Sequence, residues 1–361
     1  MSPLATLAIV SAILPMGVIA RQAPAPPIQN GKVETRQATS IDKELASVGG
    51  GAEPAWVGWR VPMVDGDRSL CSTWGVNDQI YARGFILEPT PGVSRPQTTP
   101  PSGPVALEAG TGLMVLARMI EGKLERLRPL SDDCPIDAGG RTVYWLNGIT
   151  PAESLRFLDS LLKRDSLALD QQRKLAESAL TAIGFHRDAG ATAILDRIAT
   201  ADQDSGLRRH AASSLASYRG APGFETLRKL MATERDQNLR RSFTTSLGQT
   251  RQPGTTDALL ALARGDEDPR VRAEAVYWYA QRAGAAGTAN VMAIIDKDTD
   301  TAVKQRGVSG ISTLPGNAGV PTLIELARSD RPLPVRKQAV SALGQSKDPR
   351  AIAYLEEIVK K

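Results

Sequence analysis

Aromatic side chains are scarce. Five Phe, five Trp and six Tyr make up only 4% of a chain that is 42% hydrophobic. A core must therefore be built mainly from Leu, Val, Ile and Ala. Small aliphatic faces suit helices stacked close together. A large β-sandwich is excluded, because its strands favour aromatic and β-branched residues. Chemically versatile side chains are equally few. The 361 residues include two His, His186 and His210, and two Cys, Cys71 and Cys134. They form no close pair, so the ligand spacing of a structural zinc site is missing. Any Ser-His-Asp or Cys-His centre would have to use one of the two His. The chain has no Gly-rich phosphate loop, dinucleotide fingerprint or metalloprotease helix. No catalytic residue, cofactor or metal is expected. The net charge of +5 is a mild surplus spread along the chain, so a nucleic-acid partner is not expected.

Residues 1–20 carry no charged side chain. Leu4–Leu14 reads as the apolar region of a signal peptide, with Val18 and Ala20 as the small residues ahead of cleavage. An uncleaved N-terminal membrane anchor is the alternative, although Pro3, Pro15 and Gly17 interrupt the run. Residues 21–30 read as a Pro-rich linker, from Ala23-Pro-Ala-Pro-Pro27. No other stretch approaches a membrane span. The chain is thus expected to be exported, periplasmic or extracellular. Export permits a Cys71–Cys134 disulfide, with two buried free thiols as the alternative.

The second half is periodic. Stepping by 32 residues finds six copies, starting at Leu175, Leu207, Leu239, Val271, Val303 and Val335. Positions 1, 9, 21 and 24 are apolar in every copy. Position 5 is small in all copies but one, as in Ala179, Ala211, Ala275, Gly307 and Ala339, with Phe243 the exception. Positions 1, 5 and 9 share one helical face. Breakers end that helix near position 14, as at Gly184, Pro253-Gly254 and Pro315-Gly316. A second helix buries positions 21 and 24. An acidic turn follows, holding Asp204, Asp236, Asp268, Asp300 and Asp330, whose carboxylates suit helix N-termini.

The stretch Asp268-Pro-Arg-Val-Arg-Ala-Glu-Ala275 resembles the HEAT family, specifically the short HEAT-like repeat of phycobilisome lyases. Val335-Arg-Lys-Gln-Ala339 and Asp348-Pro-Arg-Ala351 repeat parts of it. The resemblance covers residues 150–361 and implies a mainly α fold, an α/α superhelix of right-handed twist. Thr150-Pro-Ala-Glu153 is a capping box that opens an N-terminal capping helix over 150–163. Pro349–Val359 reads as the C-terminal cap, its outer face made polar by Glu356, Glu357, Lys360 and Lys361.

Residues 31–149 do not follow the repeat and read as a small antiparallel β-rich domain packed on the first units. Ile41–Val48 is a short helix. Ala55–Val64 is a strand, with Pro62 favouring a sheet edge. Gly112–Ile120 and Lys123–Leu130 form a hairpin turning at Glu121-Gly122. Glu88–Pro104, with six prolines, is a surface loop. Arg141–Leu146 is a last strand leading into the array.

Candidate chemistry is sparse. The Arg208, Arg240, Arg272, Lys304 and Arg336 series at position 2 is expected to pair with acidic turns. The helices beginning at position 1 line the inner face of such arrays, which offers Arg209, His210, Arg241, Tyr277, Trp278, Arg306 and Lys337 as binding candidates. Basic and aromatic residues dominate binding hot spots. Trp278 and Tyr279 as core fillers are the plainer alternative. Arg208 and Arg209 would depress protonation of His210. Ser160-Leu-Leu-Lys163 is read as a chance match to an acylating motif, and Asp132, Asp133 and Asp137 as a solvated turn. The leading expectation is a bacterial, exported, non-catalytic scaffold that binds a protein or peptide partner on the inner face. The alternatives are a lyase-type enzyme, as the resemblance to bilin lyases implies, or ligand binding by the N-terminal domain through Trp56, Trp59 and Trp74.

Overall fold

The computed structural model describes residues 28–48, 50–66, 70–71, 73–76, 79–88, 110–163 and 169–360. The signal segment, most of the Pro-rich linker and most of the Glu88–Pro104 loop lie outside them. The linker's end does not: Ile28–Gln29 is a strand, β1, which pairs with Ile136–Asp137 (β9).

The N-terminal region is built on a five-stranded sheet. In chain order its strands are Lys32–Gln37 (β2), Ala55–Pro62 (β3), Gly112–Ile120 (β7), Lys123–Ser131 (β8) and Thr142–Asn147 (β10). A helix, α1 (Ile41–Val48), follows β2. The short strands Thr73–Val76 (β4) and Gln79–Arg83 (β5) form a separate hairpin, and Phe85–Ile86 (β6) joins β9. The sheet order is β2-β10-β3-β7-β8. β7 and β8 form the expected hairpin, with Glu121 and Gly122 both at positive φ in the turn. The sheet is mixed, not purely antiparallel. β10 inserts between β2 and β3 and runs parallel to both. Pro62 also corrects an expectation: β3 is central, and Pro62 is tolerated because it is the strand's last residue.

Both faces of the sheet are covered, so β7 is buried along nearly its whole length. Val57, Trp59, Val61, Val115 and Leu127 join a core shared with the helical array. Trp56, Met114, Leu116, Val143 and Trp145 fill a second core on the other face. Trp56 and Trp59 are therefore fully buried core residues on opposite faces of β3. The side chain of Trp74 lies outside the described residues. Cys71 and Cys134 form a disulfide.

Among the described residues, thirteen α-helices follow. α2 (Pro151–Ser160) starts the array, and the Thr150 hydroxyl caps it by accepting the Glu153 N–H at 3.2 Å. The Glu153 carboxylate does not reach back to Thr150. It accepts the Ile41 N–H at 2.9 Å and so caps α1. One helix of each later pair begins near position 1: α3 (Leu169–Phe185), α5 (Ser205–Tyr218), α7 (Gln237–Gln249), α9 (Pro269–Ala283), α11 (Thr301–Ser312) and α13 (Leu333–Gly344). The others are α4 (Gly190–Ala201), α6 (Gly220–Thr233), α8 (Thr255–Gly265), α10 (Thr288–Lys297), α12 (Val320–Arg328) and α14 (Pro349–Val359). Neighbours within the first row touch more closely than neighbours within the second, and a stack bends toward its tighter row. The first row is thus the inner one.

The periodic positions explain the stacking. Of the four apolar positions in six copies, all but Leu175, Leu262, Leu355 and Ile358 are buried. Leu355 and Ile358 lie on α14, the last helix among the described residues, and no other described helix covers them. Ile358 is 37% exposed and the adjacent Val359 84%, so the polar outer face expected of α14 is interrupted by apolar residues. Asp204, Asp236, Asp268, Asp300 and Asp348 cap their helices by accepting backbone N–H groups. Asp330 does not: the residue capping α13 is Pro332.

Gly248 carries a specific packing requirement. A Cβ there would lie 2.2 Å from Cγ of Trp278 on the next inner helix. Gly248→Ala is expected to destabilise the fold by about 1–3 kcal/mol through overpacking. In a Trp278→Ala background the same change should cost less but not nothing, because the ring contacts are gone while the Cβ of residue 278 still stands 2.6 Å from the new one. Urea unfolding of the four proteins checks this, and additive effects would refute the contact.

Candidate functional site

Two ladders tie the array together. On the turn side, Arg208, Arg240 and Arg272 form ion pairs with Glu234, Asp266 and Asp298, as expected for position 2. Each guanidinium also donates to a carbonyl ahead of its own helix: Arg208 to Ala199 in the last turn of α4, and Arg240 and Arg272 to Glu234 and Asp266 of the preceding turns. Burial alone would raise the Asp298 carboxyl, but the Arg272 hydrogen bonds and the Asp300 N–H hold it below its usual value. Lys304 departs from the pattern and donates to the Ile295 carbonyl at 2.7 Å. Arg336 departs as well: it makes no ion pair with an acidic turn among the described residues, and its Nε is buried without a partner.

The second ladder runs along the inner row and was not foreseen. It joins position 7 of one unit to position 4 of the next, 29 residues on. Thr181 Oγ1 meets His210 Nε2 at 3.2 Å, Thr245 donates to Glu274 at 3.2 Å, and Gln338 donates to Ser309 at 3.4 Å. At the fourth rung the Arg306 guanidinium lies 3.9 Å from the centroid of the Tyr277 ring.

The rungs of Thr245 and Arg306 meet at Glu274, whose side chain is only 8% exposed. Its Oε1 accepts the indole N–H of Trp278 at 2.9 Å and the Thr245 hydroxyl. Its Oε2 faces Arg241 Nε at 3.7 Å and Arg306 Nη2 at 3.6 Å. Helices α7, α9 and α11 thus converge on one buried carboxylate. Two guanidiniums share that single charge, which leaves one positive charge in surplus. Arg241 is 58% and Arg306 39% exposed, so both keep donors facing outward. A held guanidinium with free N–H groups beside an aromatic ring suits an incoming carboxylate.

The sequence candidates divide accordingly. Arg241, Tyr277, Trp278 and Arg306 come together around Glu274. Trp278 is the half-buried support beneath the site, wedged on Gly248, while Tyr277 forms part of its rim. Arg209 and His210 lie two helices away on α5, and Lys337 is exposed on α13. The His210 proton affinity is depressed as expected, but burial is the cause, opposed by Glu177. Tyr279 is core, and donates nothing to the site: its hydroxyl accepts from Asn290 at 2.7 Å. Glu274 and Thr245 were missed. Glu274 is the one acid at position 4, where the other copies have Ser178, His210, Ser242, Arg306 and Gln338. The Asp132 carboxylate is held by Arg60, and that of Asp137 by Asn30 and the Gly139 N–H. No group of metal-ligating side chains occurs among the described residues. The Ser160 hydroxyl donates to the Phe157 carbonyl at 2.6 Å and so serves its own helix.

The chain is a HEAT-like repeat protein. The family of HEAT repeats matches residues 224–289 and 288–361. Among solved structures, human deoxyhypusine hydroxylase in complex with glycerol is 14% identical, with a TM-score of 0.33 over 57% of this chain and 90% of that one. The YibA protein of Escherichia coli is 14% identical, with a TM-score of 0.35 over 58% and 76%. The CpcE and CpcF complex of phycocyanin lyase from Nostoc sp. is 15% identical, with a TM-score of 0.33 over 58% and 88%. None of the curated proteins matches the chain.

Proposed function

We propose that the protein is a non-catalytic scaffold that binds an acidic segment of a protein partner along the inner row of helices. The site centres on Arg241, Arg306 and Tyr277, with Arg209 and Lys337 as flanking cations. The observation that carries this reading is Glu274. A buried carboxylate that orients two outnumbering arginines is a positioning device for a second, external carboxylate. Surface ion pairs made only for stability would not need this arrangement, since their yield is small. We place the mature protein outside the cytoplasm. The uncharged apolar N-terminus supports this, and the Cys71–Cys134 bond suits an oxidising compartment.

Selection of displayed peptides on the intact protein tests the proposal. The recovered sequences are expected to be rich in Asp and Glu. Affinity for them should fall about tenfold or more in Arg241→Gln/Arg306→Gln, with the fold retained. Recovery of acidic peptides that bind the folded double variant equally well would sink the proposed site.

A further inference from the structure

The free edge of the five-stranded sheet, β8, faces helices α3 and α5 across an open groove of about 630 Å³. Arg126 and Arg128 of β8 line one side, and Lys174, Thr181 and His210 line the other. The acids around this groove are already engaged. Arg118, opposite Arg126 on β7, binds both Glu88 and Glu125. Asp170 is paired with Lys174 at 2.7 Å, and Glu177 with Arg173 at 3.1 Å. Arg126 and Arg128 therefore have no hydrogen-bond or ion-pair partner among the described residues. Both are half-buried, and both stand two residues apart on the same face of one strand. Arg128 is further held by the Phe85 ring, 5.7 Å from its guanidinium carbon. Partly burying a guanidinium without an acceptor is costly, and setting a second one beside it adds repulsion. Burial, and then the charge of Arg126, pull the Arg128 proton affinity below its ordinary value. Among the described residues the Glu88 charge and the Phe85 ring offset part of this cost, without a hydrogen bond to either guanidinium.

We propose that this groove is an oxyanion-binding site, in which Arg126 and Arg128 hold a carboxylate or phosphate group of a small ligand. Planar guanidiniums are suited to such groups because they donate two parallel N–H bonds. The groove extends past the oxyanion to Thr181 and His210, whose polar atoms already meet at 3.2 Å and can bond the ligand's remainder. This site is independent of the one at Glu274, and its test passes through other residues.

The experiment follows the side-chain Nε–H signals of the intact protein during titration with inorganic phosphate and, separately, with glutarate. The signals of Arg126 and Arg128 are expected to shift and saturate with at least one of the two. The ligand that saturates them identifies the source of the oxyanion. Arg126→Gln/Arg128→Gln should weaken that binding about tenfold or more, Arg128→Lys less so, and Arg241→Gln/Arg306→Gln not at all. Failure of both anions to saturate the signals would overturn the proposal. So would equal affinity in the folded Arg126→Gln/Arg128→Gln variant.

Discussion

Replacing Arg219 by Met is expected to lower the stability of the folded chain by about 3–5 kcal/mol, the range for stranding the partners of a buried charge. Arg219 stands between α5 and α6 and is only 9% exposed. Its Nη2 group donates to the carbonyls of Ile183, Gly184 and His186, the last two at 2.9 and 2.7 Å. These carbonyls end α3, so the guanidinium sits at the negative pole of that helix. Burial lowers its pKa to about 10, which leaves it charged at neutral pH. Met would fill the stem's volume but strand the Gly184 and His186 carbonyls, while the Ile183 carbonyl keeps the His186 N–H at 3.2 Å. The effect should also spread to the sheet. The segment after β3 pairs with this loop, through Val64 N–H to the Phe185 carbonyl and Arg187 N–H to the Pro62 carbonyl. Amide exchange at Val64 and Arg187 should therefore accelerate together. A loss under about 1 kcal/mol would show that the carbonyls find other partners.

Acid should loosen the same junction. His186 is fully buried, and its Nδ1 accepts the Asp188 N–H at 3.2 Å. The proton of a neutral ring therefore lies on Nε2, which has no partner. Burial pushes its pKa down to about 4, helped by the charge of Arg219 and opposed by Asp188. In the unfolded chain His186 takes up a proton near pH 6.5, whereas in the folded chain it stays neutral until about pH 4. Between these values the unfolded state binds more protons, so stability falls as pH is lowered. The contribution is about 3 kcal/mol, intact above pH 6.5 and lost by pH 4. Carboxylates add their own acid dependence, so the comparison with His186→Asn isolates the effect. Asn keeps an acceptor for the Asp188 N–H and does not titrate. Urea unfolding at pH 7.5 and pH 4 should show a smaller difference in His186→Asn. Equal differences would mean that His186 is not the titrating group.

These two residues mark where the sequence stops being legible. The helical array was readable because positions 1, 5, 9, 21 and 24 encode local period and local faces. The β7–β8 hairpin was readable for the same reason, since Glu121-Gly122 lies between two apolar runs. Arg219 has backbone carbonyls as partners, and no residue type announces a carbonyl. The placement of β10 between β2 and β3 depends on pairing over roughly a hundred residues, which alternation within a strand does not specify. The candidate site was half legible. Arg241, Tyr277, Trp278 and Arg306 stood out by type. The residue that gathers them, Glu274, did not, because its role arises only when three helices meet.

The central claim is that an acidic partner lies along the inner row, at α7, α9 and α11. Its most direct test is an amide-exchange footprint of the intact protein with a selected acidic peptide bound. Added protection is expected within 237–249, 269–283 and 301–312, and it should vanish in Arg241→Gln/Arg306→Gln. Protection confined to the outer row, within 220–233, 255–265 and 288–297, would contradict the account.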